Sequence, residues 1–238
     1  MSADRAPRMP TPAFLALGDS YTIGEAVDPE ERWPLLLAQR LREAGIGIGT
    51  PRIVATTGWT TDELSAALDA LEADEGPLPQ DHALVSLLIG VNNQYRRRGL
   101  DAYAEQFAAL LMRAIGYAGG DAGRVLVLAI PDWGRTPFGG ASGRDLAQVS
   151  AELDAFNATA ARLSADAGAR FVDTAPLSRR LSEDPAMHAE DGLHPSGAMY
   201  AAWADAALPA ASAALAHTAT VQADGAPASL PHDSAETP

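Results

Sequence analysis

Along most of this chain, short runs of apolar residues alternate with longer stretches in which apolar side chains recur every three or four positions. The short runs fall at 13–17, 51–55, 83–89, 124–130 and 169–173, each of strand length. Residues 83–89 are almost wholly apolar, the pattern of a strand covered on both faces. Between the runs the spacing predicts helices. Residues 33–44 carry Trp33, Leu36, Leu37, Arg40 and Leu41 at helical spacing, with Gly45 as the stop. Residues 61–73 place Leu64, Ala67, Leu68 and Leu71 on one face, behind Thr60 or Thr61 as N-cap. A long amphipathic helix is expected over 100–117, ending near Gly119-Gly120, and the longest over 145–167. The last, over 195–216, is alanine-rich and is expected to break at Pro209.

Strands and helices in alternation predict an α/β fold with a parallel sheet of about five strands. No repeat and no linker interrupts the pattern, so residues 13–216 form one domain. Residues 1–12 are a polar N-terminal extension. Residues 217–238 are rich in Ala, Thr, Asp, Ser and Pro without periodicity, and are expected to be a disordered tail.

Composition narrows the chemistry. The 238 residues are 47 % hydrophobic, enough for one substantial core. A net charge of −14 argues against nucleic acid and against anionic membrane surfaces as partners. There is no cysteine, which excludes disulfides, thiolate metal sites and a cysteine nucleophile. All 17 basic residues are arginine, which excludes Schiff-base, Ser-Lys and phosphate-loop lysine mechanisms. No apolar run reaches the roughly 18–20 residues of a membrane helix, and the first twelve residues are too polar for a signal-peptide core. A cytoplasmic protein without stable membrane anchoring is expected.

Parallel sheets gather functional groups at the carboxyl ends of their strands. Gly18-Asp19-Ser20 follows the first run, Thr57-Gly58-Trp59 the second, Gly90-Val91-Asn92-Asn93 the third and Pro131-Asp132-Trp133-Gly134 the fourth. Asp191-Gly192-Leu193-His194-Pro195 follows the fifth after a loop. Ser20 could be a nucleophile, His194 its base and Asp191 the group that orients the imidazole. A serine after a strand is also a common helix cap, so Ser20 gains meaning only from the others.

In this order the segments resemble the SGNH hydrolases, the GDSL-type esterases and lipases. The nucleophile block is matched by Gly18-Asp19-Ser20, the glycine of the second block by Gly58, the third block by Gly90-Val91-Asn92-Asn93 and the fifth by Asp191 to His194. The resemblance spans residues 14–211. It implies a three-layer α/β/α sandwich of flavodoxin-like arrangement and hydrolysis of a small-molecule carboxylic ester through an acyl-serine intermediate. No cofactor and no metal is implied. The Ser20 and Gly58 N–H groups and the Asn92 side-chain amide would face the oxyanion, Gly58 because it has no side chain in the way. There are two departures: Tyr21 stands where the family name implies leucine, and Asn93 where the third block has aspartate.

Several readings stay open. The same residues would serve a thioesterase, lysophospholipase, acyltransferase or carbohydrate deacetylase, or a binding module of the same fold without turnover. A nucleotide-binding domain is disfavoured, because no glycine-rich phosphate loop follows the first strand. Trp59, Asn93, Tyr95 and Trp133 are candidate substrate-binding residues; Phe138 also falls on a rim loop, and these aromatics could equally pack on the core. Asp19 reads as structural, bonding loop N–H groups. His82, His217 and His232 read as solvated, and His188 as lacking a partner. Arg96-Arg97-Arg98 is a solvated charge run or a site for an anionic substrate group. The glycine-rich segment 131–143 is a flap over the site or a long connection.

Overall fold

The computed structural model describes residues 11–224, with 217–224 through the backbone alone. Five strands, β1 (Phe14–Gly18), β2 (Arg52–Ala55), β3 (Leu84–Leu88), β4 (Val125–Leu128) and β5 (Arg170–Val172), form one sheet in the order β2-β1-β3-β4-β5. Every neighbouring pair is parallel. β1, β3 and β4 are buried along their whole length, which is why they read as apolar runs, interrupted only by the buried Ser86 of β3. The edge strands β2 and β5 each begin with an arginine and are only partly buried.

Right-handed crossovers decide which helices cover which face. The chain steps from β1 to β2 in one direction and then from β2 through β3, β4 and β5 in the other. The intervening helices therefore segregate. α2 (Trp33–Glu43) packs against α9 (Gly197–Asp224) as one layer. α3 (Thr61–Glu75), α5 (Leu100–Tyr117) and α7 (Leu146–Ala167) pack in sequence as the other. The fold is thus a three-layer α/β/α sandwich, and the reversal of direction leaves a crevice at the carboxyl ends of β1 and β3.

The long helices start and stop where the sequence places them, within two residues. α2 ends as Gly45 takes φ +80°. α3 is capped at Thr60, whose N–H donates to Glu63 Oε2 at 2.9 Å. α9 differs. It runs unbroken through Pro209, because Tyr200, Trp203, Ala204, Ala207, Ala211 and Ala214 are buried on either side of it. Packing on that scale outweighs the roughly 3 kcal/mol that a mid-helix proline costs. Its backbone also continues past position 216 to Asp224; residues 225–238 of the expected tail, and 1–10 of the extension, lie outside the described residues. Four short helices had no periodic signal: α1 (Ser20–Ile23), α4 (Val91–Tyr95), α6 (Pro137–Ala141) and α8 (Ala175–Leu181). At four to seven residues they are too short to show an apolar stripe. Among the described residues no helix is long and apolar enough to cross a membrane.

Candidate active site

Sheet register brings the strand-end residues together. Gly18 lies opposite Ala55 of β2 and Leu88 of β3, so Ser20, Gly58 and Asn92 stand just beyond three aligned strand ends. The chain can turn sharply after β1 because Gly18 has no side chain: a Cβ there would lie 2.5 Å from the Leu88 carbonyl oxygen. Asp19 then caps α1 by accepting the Tyr21 N–H at 3.1 Å, and Ser20 opens the helix. Only one Asp19 oxygen is used; Oδ2 is buried without a partner among the described residues. Burial is the main reason that its pKa is pushed up to about 7, against the lowering effect of the Tyr21 N–H.

Ser20, Gly58, Asn92 and His194 line one cavity of about 190 Å³, together with Tyr21, Tyr95, Trp133 and Phe138. Asn92 Nδ2 donates to the Trp59 carbonyl at 2.9 Å, which aims the amide and leaves its second N–H free among the described residues. The Gly58 N–H has no partner among them either. Glycine is required at 58 for its φ of +87°, not for clearance within the protein: a Cβ would meet only Arg96 Nη2, at an ordinary 3.6 Å. This conformational reason stands beside the expected one, that a missing side chain lets the N–H approach the substrate.

His194 arrives from a different kind of structure. The turn after Ala189 is closed by the Ala189 N–H to His194 carbonyl bond at 2.8 Å and by an antiparallel bridge between His188 and Pro195. Within it Asp191 Oδ1 accepts the N–H groups of Leu193 and His194 at 2.8 and 2.9 Å, while Oδ2 accepts His194 Nδ1–H at 2.5 Å. Burial opposes ionisation of Asp191, but these three donors outweigh it and hold its pKa below the ordinary aspartate value. The turn is tied to α6, where the Phe138 N–H donates to the Gly192 carbonyl at 2.9 Å. Asp191 and His194 are therefore joined. Ser20 and His194 share the cavity wall without a hydrogen bond between them.

Other expectations meet mixed outcomes. Tyr95 and Trp133 line the cavity, as does Phe138. Asn93 and Trp59 do not. Asn93 is fully buried, accepting the Thr61 N–H at 3.1 Å and donating to Thr61 Oγ1 at 2.7 Å, so it clamps α4 to the start of α3. Thr61 Oγ1 in turn bonds Gln106 Oε1 at 2.5 Å. An amide can both accept and donate in this way, which answers how the loop is held without the family carboxylate. Trp59 contributes its carbonyl, while its ring packs against the core. Tyr21 is more than a neighbour of Ser20: its ring meets His194 edge-on with centroids 5.9 Å apart.

His82 is buried, contrary to its solvated reading, and its Nδ1–H donates to the Tyr117 carbonyl at 3.1 Å. His188 has a partner after all: Nε2–H donates to the Ser182 carbonyl at 3.0 Å. Residues 217 and 232 lie outside the described side chains. Segment 131–143 lends Trp133 and Phe138 to the cavity wall and is anchored by Asp132: Oδ1 accepts the Gly134 N–H at 3.0 Å and Oδ2 accepts Ser150 Oγ and Arg179 Nε at 2.6 and 2.8 Å. Gln94 joins it to α4 by accepting Trp133 Nε1–H at 2.8 Å. Sequence reasoning passed over Asp132 and Gln94; Asp132 two residues before a glycine was the available signal, Gln94 had none.

The fold and this crevice define a doubly wound α/β protein with its site at the β1/β3 switch point, an arrangement shared by many enzyme families. The sequence model of the GDSL-like Lipase/Acylhydrolase family matches residues 16–202, and the chain belongs to that family. The fold is similar to that of TesA (TM-score 0.60, 23 % identity, covering 83 % of this chain and 97 % of that one). It is also similar to Axe2, an acetylxylan esterase from Geobacillus stearothermophilus (TM-score 0.61, 20 % identity, 84 % and 94 % covered). A third is a lipase/acylhydrolase from Enterococcus faecalis (TM-score 0.57, 19 % identity, 83 % and 94 % covered). No curated protein matches the sequence.

Proposed function

We propose that the protein hydrolyses carboxylic esters through an acyl-serine intermediate. The observation that carries this reading is the one cavity lined by Ser20, Gly58, Asn92 and His194, with Asp191 bonded to the far side of the imidazole. His194 Nε2 takes the Ser20 proton as Oγ attacks the ester carbonyl. Asp191 keeps the proton on Nδ1, so Nε2 is the basic nitrogen, and it stabilises the imidazolium that forms. The Ser20 and Gly58 N–H groups and the free Asn92 N–H stabilise the oxyanion. His194 then protonates the leaving alcohol, and a water activated in the same way releases the acid. Ser20 and His194 are not hydrogen-bonded to each other; bonds of this kind commonly tighten as substrate binds.

Cavity size narrows the acyl group. About 190 Å³ is below the roughly 300–1,000 Å³ of most small-molecule pockets, and Tyr95, Trp133 and Phe138 wall it in. Short acyl chains fit this space best. Ser20→Ala tests the assignment: p-nitrophenyl acetate turnover by the folded variant should fall to background, and unchanged turnover would remove Ser20 from the mechanism.

A further inference from the structure

A second, larger concavity of about 640 Å³ lies on the other side of the cavity's aromatic wall. The partition is well defined. Tyr95 and Trp133 line the catalytic cavity, and Arg144 stacks on both, its guanidinium carbon 4.4 Å from the Tyr95 ring centre and 5.4 Å from that of Trp133. Arg144 Nη2 also donates to the Tyr95 carbonyl at 2.9 Å. Arg144 itself lines the larger groove, next to Arg97, Arg98 and Gln94. The groove and the catalytic cavity thus lie back to back at this wall, with the groove on the Arg144 side of Tyr95 and Trp133.

The groove is rich in arginine for this molecule. The chain carries −14 overall, yet three arginines converge here. Asp145 and Glu152 also line it and keep their charge, but oxygens of both are engaged by neutral donors. Asp145 Oδ1 accepts the Ala147 and Gln148 N–H groups at 3.0 and 3.1 Å. Glu152 accepts Gln94 Nε2 at 2.6 Å and Gln148 Nε2 at 2.8 Å. Arg98 is paired with Asp62, and neighbouring Arg96 with Glu63. Arg97 stands apart. Its side chain has no partner among the described residues, and its backbone is held at φ +57°, a region disfavoured for any residue with a Cβ. Arg144 spends one nitrogen on Tyr95 and keeps its other N–H groups free among the described residues.

We propose that this groove is a leaving-group subsite for esters whose alcohol carries an anionic group, a carboxylate or a phosphate, held by Arg97 and Arg144. The acyl group occupies the smaller cavity and the alcohol lies over Tyr95, with its anion in the groove. This rests on the ester-hydrolase reading above. A guanidinium presents paired N–H donors that match either oxyanion, which makes arginine suited to the task.

The test compares two esters of one acyl group, 4-acetoxybenzoate and 4-acetoxybenzamide, which differ in the charge of the leaving group. The expected result is a kcat/KM ratio of about 5 in favour of the anionic ester at low salt, the scale of an exposed ion pair. It should fall towards 1 at about 0.5 M NaCl. The two leaving phenols also differ in acidity, so each kcat/KM is divided by that ester's own uncatalysed hydrolysis rate before the ratio is taken; the protein's overall negative charge works against the anion. In Arg97→Gln the low-salt ratio should drop to about 1; being a ratio, it is insensitive to the amount of folded enzyme. A ratio at or below 1 in the wild type, or one unchanged in the variant, overturns the subsite. In those cases turnover of the neutral ester, lost in Ser20→Ala, leaves the hydrolase reading standing. No turnover of either ester overturns both.

Discussion

Two aspartates flank the cavity and meet opposite surroundings. Asp19, at the tight turn after β1, is buried with one N–H donor and no cation, and its pKa rises to about 7. Asp191, in the loop before α9, is partly open to solvent, receives three donors and is held below the ordinary value. The group nearer neutrality is the one the mechanism does not use. A shifted pKa marks an unusual environment; the donors around the carboxylate say whether it orients something. The contrast extends to the two regions. Strand register sets the Ser20–Gly58–Asn92 side, so its residues follow from the sheet, while the Asp191–His194 side is set by hydrogen bonds local to one turn.

The largest effect short of removing Ser20 should come from the turn. Asp191→Asn would present an amide N–H to Nδ1, favouring the tautomer with the proton on Nε2, so that Nε2 can no longer accept from Ser20. A fall in kcat of about 10³–10⁴-fold is expected for esters at pH 7–8. A loss of only a few-fold would show that the turn positions His194 without Asp191. On the strand side, Asn92→Ala removes one of the three proposed oxyanion donors. A fall in kcat of about 10²–10³-fold with KM little changed is expected from steady-state kinetics. A rise in KM alone would place Asn92 in ground-state binding.

The smallest effect on turnover, and a distinct one on stability, belongs to Asp19. Its native pKa of about 7 lies above the ordinary aspartate value of 3.8, so the folded state binds this proton more tightly. That contribution is present in full below about pH 4 and is lost as pH rises to 7. Asp19→Asn removes the loss. Its stability advantage over the wild type, read from urea midpoints, should grow by something on the order of 3 kcal/mol between pH 5 and pH 8. A pH-independent difference would mean that Asp19 is ionised normally.

Much of this was legible in the sequence, for identifiable reasons. The helix over 100–117 carried a long apolar stripe, and β3 an apolar run that only a buried strand explains. The segments holding Ser20, Gly58 and Asn92 could be placed because they follow parallel strand ends, and the family resemblance then singled out these three residues within them. What resisted was set by contacts distant in sequence. Asn93 looked like a companion of Asn92 until Thr61, 32 residues earlier, turned it inward. His82 looked solvated because the Tyr117 carbonyl that receives it lies 35 residues away. Pro209 looked like a break because the burial on both sides of it belongs to tertiary packing.

The central claim is that Ser20 is a nucleophile activated in this cavity. The most direct test is incubation of the native protein with a fluorophosphonate, followed by intact and peptide mass spectrometry. The account predicts one adduct per chain, on Ser20, absent in Ser20→Ala and strongly slowed in Asp191→Asn. A folded protein that stays unlabelled, or carries its adduct on another residue, would contradict it.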